Sequence, residues 1–148
     1  MKIITDTNIL RKQNLMVNVM DYKNLHKQIP IMVKLMIKNN GCGIAAPQVG
    51  INKRFFVAII NNKEIKIFIN PKIIEYSKET NLDTEGCLSI PNMEGVIERY
   101  NWIKIKYFNG KKIVTELYTG LNARIIQHEN DHLDGILYTD KMVKEKAI

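Results

Sequence analysis

The 148-residue sequence predicts an α+β fold, with antiparallel β-sheets packed around a central metal-binding helix and a further helix near the N-terminus. Three observations lead there. Apolar residues recur at helical spacing near each end of the chain, and the middle reads as strand-like runs separated by turn residues. The second helical segment also carries an H-E-x-x-H pattern. Strands grouped between helices, rather than alternating with them, favour antiparallel sheets over a parallel βαβ arrangement.

The first helix is expected from about Asp21 to Asn39, with Leu25, Ile29, Met32, Val33, Met36 and Ile37 on one face. Asn39-Asn40-Gly41 supplies its stop. Pro30 removes one N–H and crowds the preceding turn, so a kink is expected there, or a helix that begins near Pro30. Strands follow at Arg54–Ile60 and Glu64–Ile69, rich in Phe, Val and Ile, around an Asn61-Asn62-Lys63 loop. Trp102–Phe108 alternates apolar and polar residues, and Asn109-Gly110 turns the chain into a strand at about Lys112–Tyr118. Helical spacing returns from Leu121 to about Asp134, with Gly135 placed as a C-terminal cap.

No repeat, low-complexity tract or linker interrupts the chain, and its length suits one domain spanning residues 1–148. Apolar residues at 45% and charged residues at 25% exclude wholesale disorder. No apolar run approaches the roughly 18 residues that a membrane helix needs, and Asp6 and Arg11 break the N-terminal apolar stretch, against a secretory signal. Two cysteines do not make a disulfide framework. The net charge of +7 admits a polyanion partner, but no basic run exceeds two residues and aromatics are few at 7%. A solvated lysine-rich surface is the expected reading, with no membrane and no stable nucleic-acid binding.

Chemistry concentrates in three segments. Gln127-His128-Glu129-Asn130-Asp131-His132 places His128 and His132 one helical turn apart, able to grip one metal ion, with Glu129 beside them as a base. Two of the three histidines fall in this pattern, and His26 on the first helix is expected at the surface without a role. A catalytic metal usually has three protein ligands plus water. Cys87, in Glu85-Gly86-Cys87-Leu88-Ser89-Ile90-Pro91, is the candidate third ligand, although such a cysteine alone is most often a small buried hydrophobe. Gly41-Cys42-Gly43-Ile44-Ala45-Ala46-Pro47-Gln48-Val49-Gly50 is dense in small residues, and Gln48 offers an amide donor. It lacks the Lys-Ser/Thr ending of a phosphate-binding loop, and by itself reads as a tight turn.

Together GCGIAAPQVG, EGCLSIP and QHENDHLDG resemble, in order, the three signature motifs of the peptide deformylases. The resemblance runs from about Leu10 to Met142 and includes the Leu10-Arg11 pair. It implies an enzyme that removes the formyl group from the N-terminal methionine of nascent polypeptides and releases formate. The implied ligands of one divalent metal are Cys87, His128 and His132. Fe(II) is the expected physiological metal, with Zn, Ni or Co able to occupy the same site. Water on that metal would attack the formyl carbon with Glu129 as general base and acid, while Gln48 and the Leu88 N–H stabilise the oxyanion.

By the same resemblance the peptide binds extended along Cys42, Gly43 and Gly86, and the methionine pocket includes Leu121, Arg124 and Ile125, with the Arg124 head reaching water. Glu85 and Arg99 match a structural ion pair. Three departures stand out: Glu94 occupies a position where many members are basic, Pro30 is unusual, and the sequence ends at Ile148 without the further helix that docks common bacterial forms on the ribosome. Transient ribosome proximity is allowed, but that helix's contact is not carried over. The expected location is the cytoplasm of a bacterium, or of the host if the gene is a phage's. A metalloprotease on the same helix is disfavoured by Cys87 as third ligand. A structural zinc site using Cys42 as a fourth ligand leaves Glu129 and Gln48 without a purpose.

Overall fold

Among the described residues, eight strands and three α-helices follow each other along the chain. A computed structural model describes residues 1–147, with the side chains of residues 144–147 left aside. Ile148 lies outside the described residues. Strands β1 (Gly43–Ala45), β2 (Phe55–Ile60), β3 (Glu64–Tyr76), β6 (Trp102–Phe108) and β7 (Ile113–Thr119) form one antiparallel sheet in the order β1-β2-β3-β6-β7. Strands β4 (Thr80–Cys87), β5 (Ile90–Tyr100) and β8 (Met142–Ala147) form a second, in the order β4-β5-β8. Helices α1 (Thr7–Leu10), α2 (Tyr22–Lys38) and α3 (Gly120–Leu133) complete the frame.

The period-2 pattern of the large sheet buries two faces. On one, Phe56, Ala58, Phe68, Ile103, Ile105 and Tyr107 meet Ala123, Ile126 and Leu133 of α3. On the other, Phe55, Val57 and Ile69 meet Leu25, Met32 and Met36 of α2. Both helices are thus held by apolar burial rather than propensity. The β2–β3 hairpin turns through Asn61 and Asn62 at φ 55° and 57°, left-handed values that asparagine tolerates.

Helix α2 begins at Tyr22 and runs through Pro30 without a break, so it does not start at the proline. Pro30 and His26 both face solvent, where water can satisfy the His26 carbonyl that has lost its helical donor. The helix stops as expected: Asn40 is left-handed at φ 57°, and the Gly41 N–H donates to the Met36 carbonyl at 2.9 Å. Helix α3 likewise ends at Gly135, φ 71°. Strand β3 extends seven residues beyond the expected Ile69, to Tyr76, through two register shifts against β6. More than one sheet was expected, but the strands of the second, β4, β5 and β8, were not. Its strand β4 is exposed at six of its eight positions and carries no apolar alternation, so pairing with β5 specifies it. Among the described residues no helix is long and apolar enough to cross a membrane.

Candidate metal centre and active site

Helix α3 buries its apolar face on the large sheet, turns His128 and His132 toward Glu85 and Cys87 of β4, and sets Glu129 against Gly43 of β1. One helical turn separates the imidazoles, and their ring centroids lie 5.2 Å apart. Cys87 reaches them from a tight hairpin: it ends β4, pairs with Ile90 at the start of β5, and leaves Leu88 and Ser89 as a two-residue turn. The Cys87 Sγ lies 3.4 Å from His132 Nε2, and the candidate ligand atoms of Cys87, His128 and His132 all fall within 4.8 Å of one another.

These donors fit a divalent cation by their surroundings as well as their spacing. His128 Nδ1 lies 2.8 Å from Glu85 Oε1, the carboxylate–imidazole pairing that leaves Nε2 free to face a metal. Burial opposes a proton on His128, yet hydrogen bonding to Cys87 and Glu85 raises its pKa to about 10. The Glu85 carboxylate and the Cys87 sulfur thus flank this imidazole with groups that favour a cation. Burial holds His132 neutral, the form that ligates. Glu85 stays ionised because Arg99 and His128 outweigh the burial that would otherwise raise its carboxyl.

Glu129 is 5% exposed, and among the described residues its Oε1 has no hydrogen-bond partner. Burial raises its pKa to about 7, the range in which a carboxylate can take and return a proton at neutral pH. Gly43 makes the room for it. A Cβ at that position would sit 2.6 Å from Glu129 Oε2 and 2.8 Å from its Cδ and Cγ. Gly41 similarly leaves space for Leu88, whose Cδ1 would be 2.8 Å from an added Cβ. Gln48 follows Pro47 on a 3₁₀ turn and is 1% exposed. Its Oε1 accepts from the Ala45 N–H at 2.9 Å, which aims Nε2 at Ser89 Oγ (3.1 Å) and Cys87 Sγ (3.4 Å).

Cys87, His128, Glu129 and Gln48 open onto one cavity of about 540 Å³, with His132 buried behind them. Cys42, Gly43, Gly86, Leu121, Arg124 and Ile125 line it, as does Glu94. Strands β1 and β4 border it, and both are sheet edges. The Cys42 carbonyl already accepts from the Ile59 N–H at 2.8 Å, and Cys42 is exposed and outside the metal-ligand cluster. His26 is exposed on α2 and stands apart from the centre.

One expectation is overturned. The Arg124 head does not reach water; the residue is 5% exposed, and its guanidinium is engaged by Glu85, Ile97 and Asn81. The Glu85–Arg99 pair is real, with bonds of 2.9 Å at both oxygens, but belongs to a wider network that takes in Asp131, 2.6 Å from Arg99 Nη1. Sequence reasoning missed Ser89, Asn81 and Asp131. Ser89 lay within the recognised EGCLSIP segment, whereas an exposed-looking Asn81 carries no local signal.

The chain matches the family model described as polypeptide deformylase over residues 1–147. It is 43% identical over 141 residues to a peptide deformylase of Thermotoga petrophila, covering 95% of this chain and 85% of that protein. The crystal structure of peptide deformylase from Thermotoga maritima superposes with a TM-score of 0.90 at 43% identity, over 95% of this chain and 96% of that one. A class I type b peptide deformylase from Acinetobacter baumannii, solved with Met-Ala-Ser bound, matches with a TM-score of 0.90 at 33% identity, over 96% and 98% of the two chains.

Proposed function

The chain belongs to the polypeptide deformylase family, a family of metalloenzymes, and we propose that residues 1–148 act as one catalytic domain that hydrolyses the formyl amide of N-formylmethionyl peptides. The observation that carries this reading is the Cys87, His128 and His132 cluster beside Glu129 and Gln48 at a cavity bordered by two sheet edges. The Acinetobacter relative holds a methionine-headed tripeptide, which supports a peptide of the same class here.

Cys87, His128 and His132 would hold the metal, Fe(II) in the cell. Such an ion supplies Lewis-acid chemistry, acidifying a water and polarising a carbonyl. Glu129 takes one proton from the attacking water as the new C–O bond forms at the formyl carbon. Negative charge then builds on the former formyl oxygen. Gln48 meets it with a preorganised amide: Oε1 is pinned to Ala45, and the Nε2 edge beside Cys87 Sγ faces the reacting centre. The Leu88 N–H lies in the two-residue turn, outside the ladder between β4 and β5, and is free to donate to the same oxygen. As the C–N bond breaks, Glu129 returns its proton to the methionine amine. Formate and a free N-terminus result.

The peptide would lie extended between β1 and β4, whose unpaired edges offer backbone groups, with Gly43 and Gly86 lacking side chains that would block it. Leu121, Ile125 and the Arg124 stem form the apolar wall for methionine. The test is formate release from formyl-Met-Ala-Ser and from acetyl-Met-Ala-Ser under anaerobic conditions, with Fe(II), Ni(II) or Co(II) added. Formate from the formyl peptide and no acetate from its analogue is expected. Absence of formate with every metal would remove the assignment.

A further inference from the structure

The Glu85 carboxylate is more heavily held than an ion pair requires. Its Oε1 accepts from Arg99 Nη2 at 2.9 Å and faces His128 Nδ1 at 2.8 Å. Its Oε2 accepts from Arg99 Nε at 2.9 Å and from Arg124 Nη1 at 2.6 Å. Arg99 alone makes the two parallel bonds of a fork-to-fork pair. The second guanidinium is therefore surplus to simple charge pairing, and it is itself fixed on all sides. Arg124 Nη1 also donates to the Ile97 carbonyl at 3.1 Å, and Nη2 donates to the Asn81 carbonyl at 3.0 Å and to Asn81 Oδ1 at 2.6 Å. One side chain thus ties α3 to β4, to β5 and to the carboxylate behind His128.

We propose that Arg124 is a positioning residue for His128: it locks the Glu85 carboxylate in the plane that presents His128 Nε2 to Cys87, and joins the pocket wall to the metal centre as one hydrogen-bonded unit. The proposal rests on the ligand set given above, though not on the reaction. Its physical content is directional. With Arg99 alone, the carboxylate can rock about the axis of the forked pair, carrying the imidazole bonded to Oε1 with it. A donor from Arg124 on Oε2, coming from a different element, removes that freedom. Arg99 cannot do both jobs, because its remaining Nη1 is spent on Asp131 at 2.6 Å. Since Arg124 also lines the cavity, a substrate side chain against its stem presses on the same guanidinium that fixes the ligand.

Two substitutions separate this from a packing role. Arg124→Met keeps the apolar stem and removes the fork, while Arg124→Lys keeps the charge without planar, paired donors. The readouts are the Co(II) dissociation constant by chelator competition, the visible Co(II) spectrum, and the melting temperature of the metal-free protein. Arg124→Met is expected to weaken Co(II) binding about 10- to 100-fold, the usual cost of losing an outer-shell partner, and to alter the spectrum. Arg124→Lys is expected to fall between it and the parent. If Arg124 only packs, the melting temperature drops while affinity and spectrum stay those of the parent, and the proposal is overturned. Asn81→Ala guards against an unfolded variant. It removes the 2.6 Å acceptor of Nη2 from the exposed side of β4, and is expected to weaken Co(II) binding about threefold. Parental affinity in that variant overturns the proposal as well. Neither measurement involves formate, so an inactive parent would sink the deformylase reading and leave this test standing.

Discussion

Gly43→Ala puts the base under direct test. The added methyl carbon would lie 2.6 Å from Glu129 Oε2, where ordinary contact begins at 3.4 Å, so the carboxylate must retreat by 3.4 − 2.6 = 0.8 Å. Glu129 is buried on a helix whose far side is packed against the large sheet, so that movement comes out of its aim rather than out of the backbone. A misplacement approaching 1 Å in a catalytic group costs about 100-fold in rate, equivalent to about 2.7 kcal/mol of barrier. Alanine keeps the Gly43 N–H and C=O, so backbone contacts to the peptide survive and the loss is expected in kcat, with KM little changed. The assay is initial-rate formate release from formyl-Met-Ala-Ser by Co(II)-loaded protein, alongside metal content and melting temperature. Pairing the change with Glu129→Asp, which shortens the carboxylate, should cost less than the sum of the two single effects. A kcat equal to the parent's, at equal metal content, would refute the reasoning that Gly43 exists to admit Glu129.

Other consequences are equally direct. Glu129→Gln should bind one equivalent of Co(II) yet lose about 10²- to 10⁴-fold in kcat, because it removes the proton acceptor without touching a ligand; retained turnover would free Glu129 of its role. Gly135 is left-handed at φ 71°, and a Cβ there would run into the Arg11 carbonyl. Gly135→Ala should therefore destabilise the protein by about 3 kcal/mol in urea unfolding. A loss too small to measure would show that the loop after α3 yields. The Arg11 hydrogen bonds, both 2.9 Å, hold Asp140 below the usual carboxylate range. That contribution is present above the ordinary carboxylate value and disappears as the pH falls through the depressed one. Arg11→Ala should accordingly lower the melting temperature at neutral pH, with the gap to the parent closing under acid. A gap independent of pH would assign the effect to something other than Asp140.

What could be read from the sequence was whatever local patterning determines. His128, Glu129 and His132 share a helix, so their spacing declares their geometry, and the apolar face of α3 declares the orientation. Strands β2, β3, β6 and β7 are rich in β-branched and aromatic residues, and Asn or Gly at left-handed positions joins β2 to β3 and β6 to β7, so they too were legible. Strand β1, by contrast, lay in a segment that reads as a tight turn. The strands of the second sheet were not legible. Strand β4 reads Thr80 to Cys87 with a single buried residue, Glu85, and only its partner β5 makes it a strand. Cys87 was recognised through its motif, yet its approach to His132 depends on that illegible hairpin. Arg124 failed for a related reason. Its stem was placed rightly in the pocket wall, but the head is drawn inward by Glu85 and Asn81, 39 and 43 residues distant in sequence. A helix start at Pro30 is the alternative that failed, because propensity penalises proline in every helix interior, whereas a solvent-facing carbonyl bears the loss cheaply.

Formate release titrated against Co(II) added to metal-free protein bears most directly on the assignment of Cys87, His128 and His132 to the metal on which the chemistry depends. Activity on formyl-Met-Ala-Ser should rise linearly and level off at one equivalent in the parent, and should stay near zero at that ratio in Cys87→Ala. Release of formate before any metal is added, or a Cys87→Ala protein that saturates at one equivalent with the parent's activity, would contradict it.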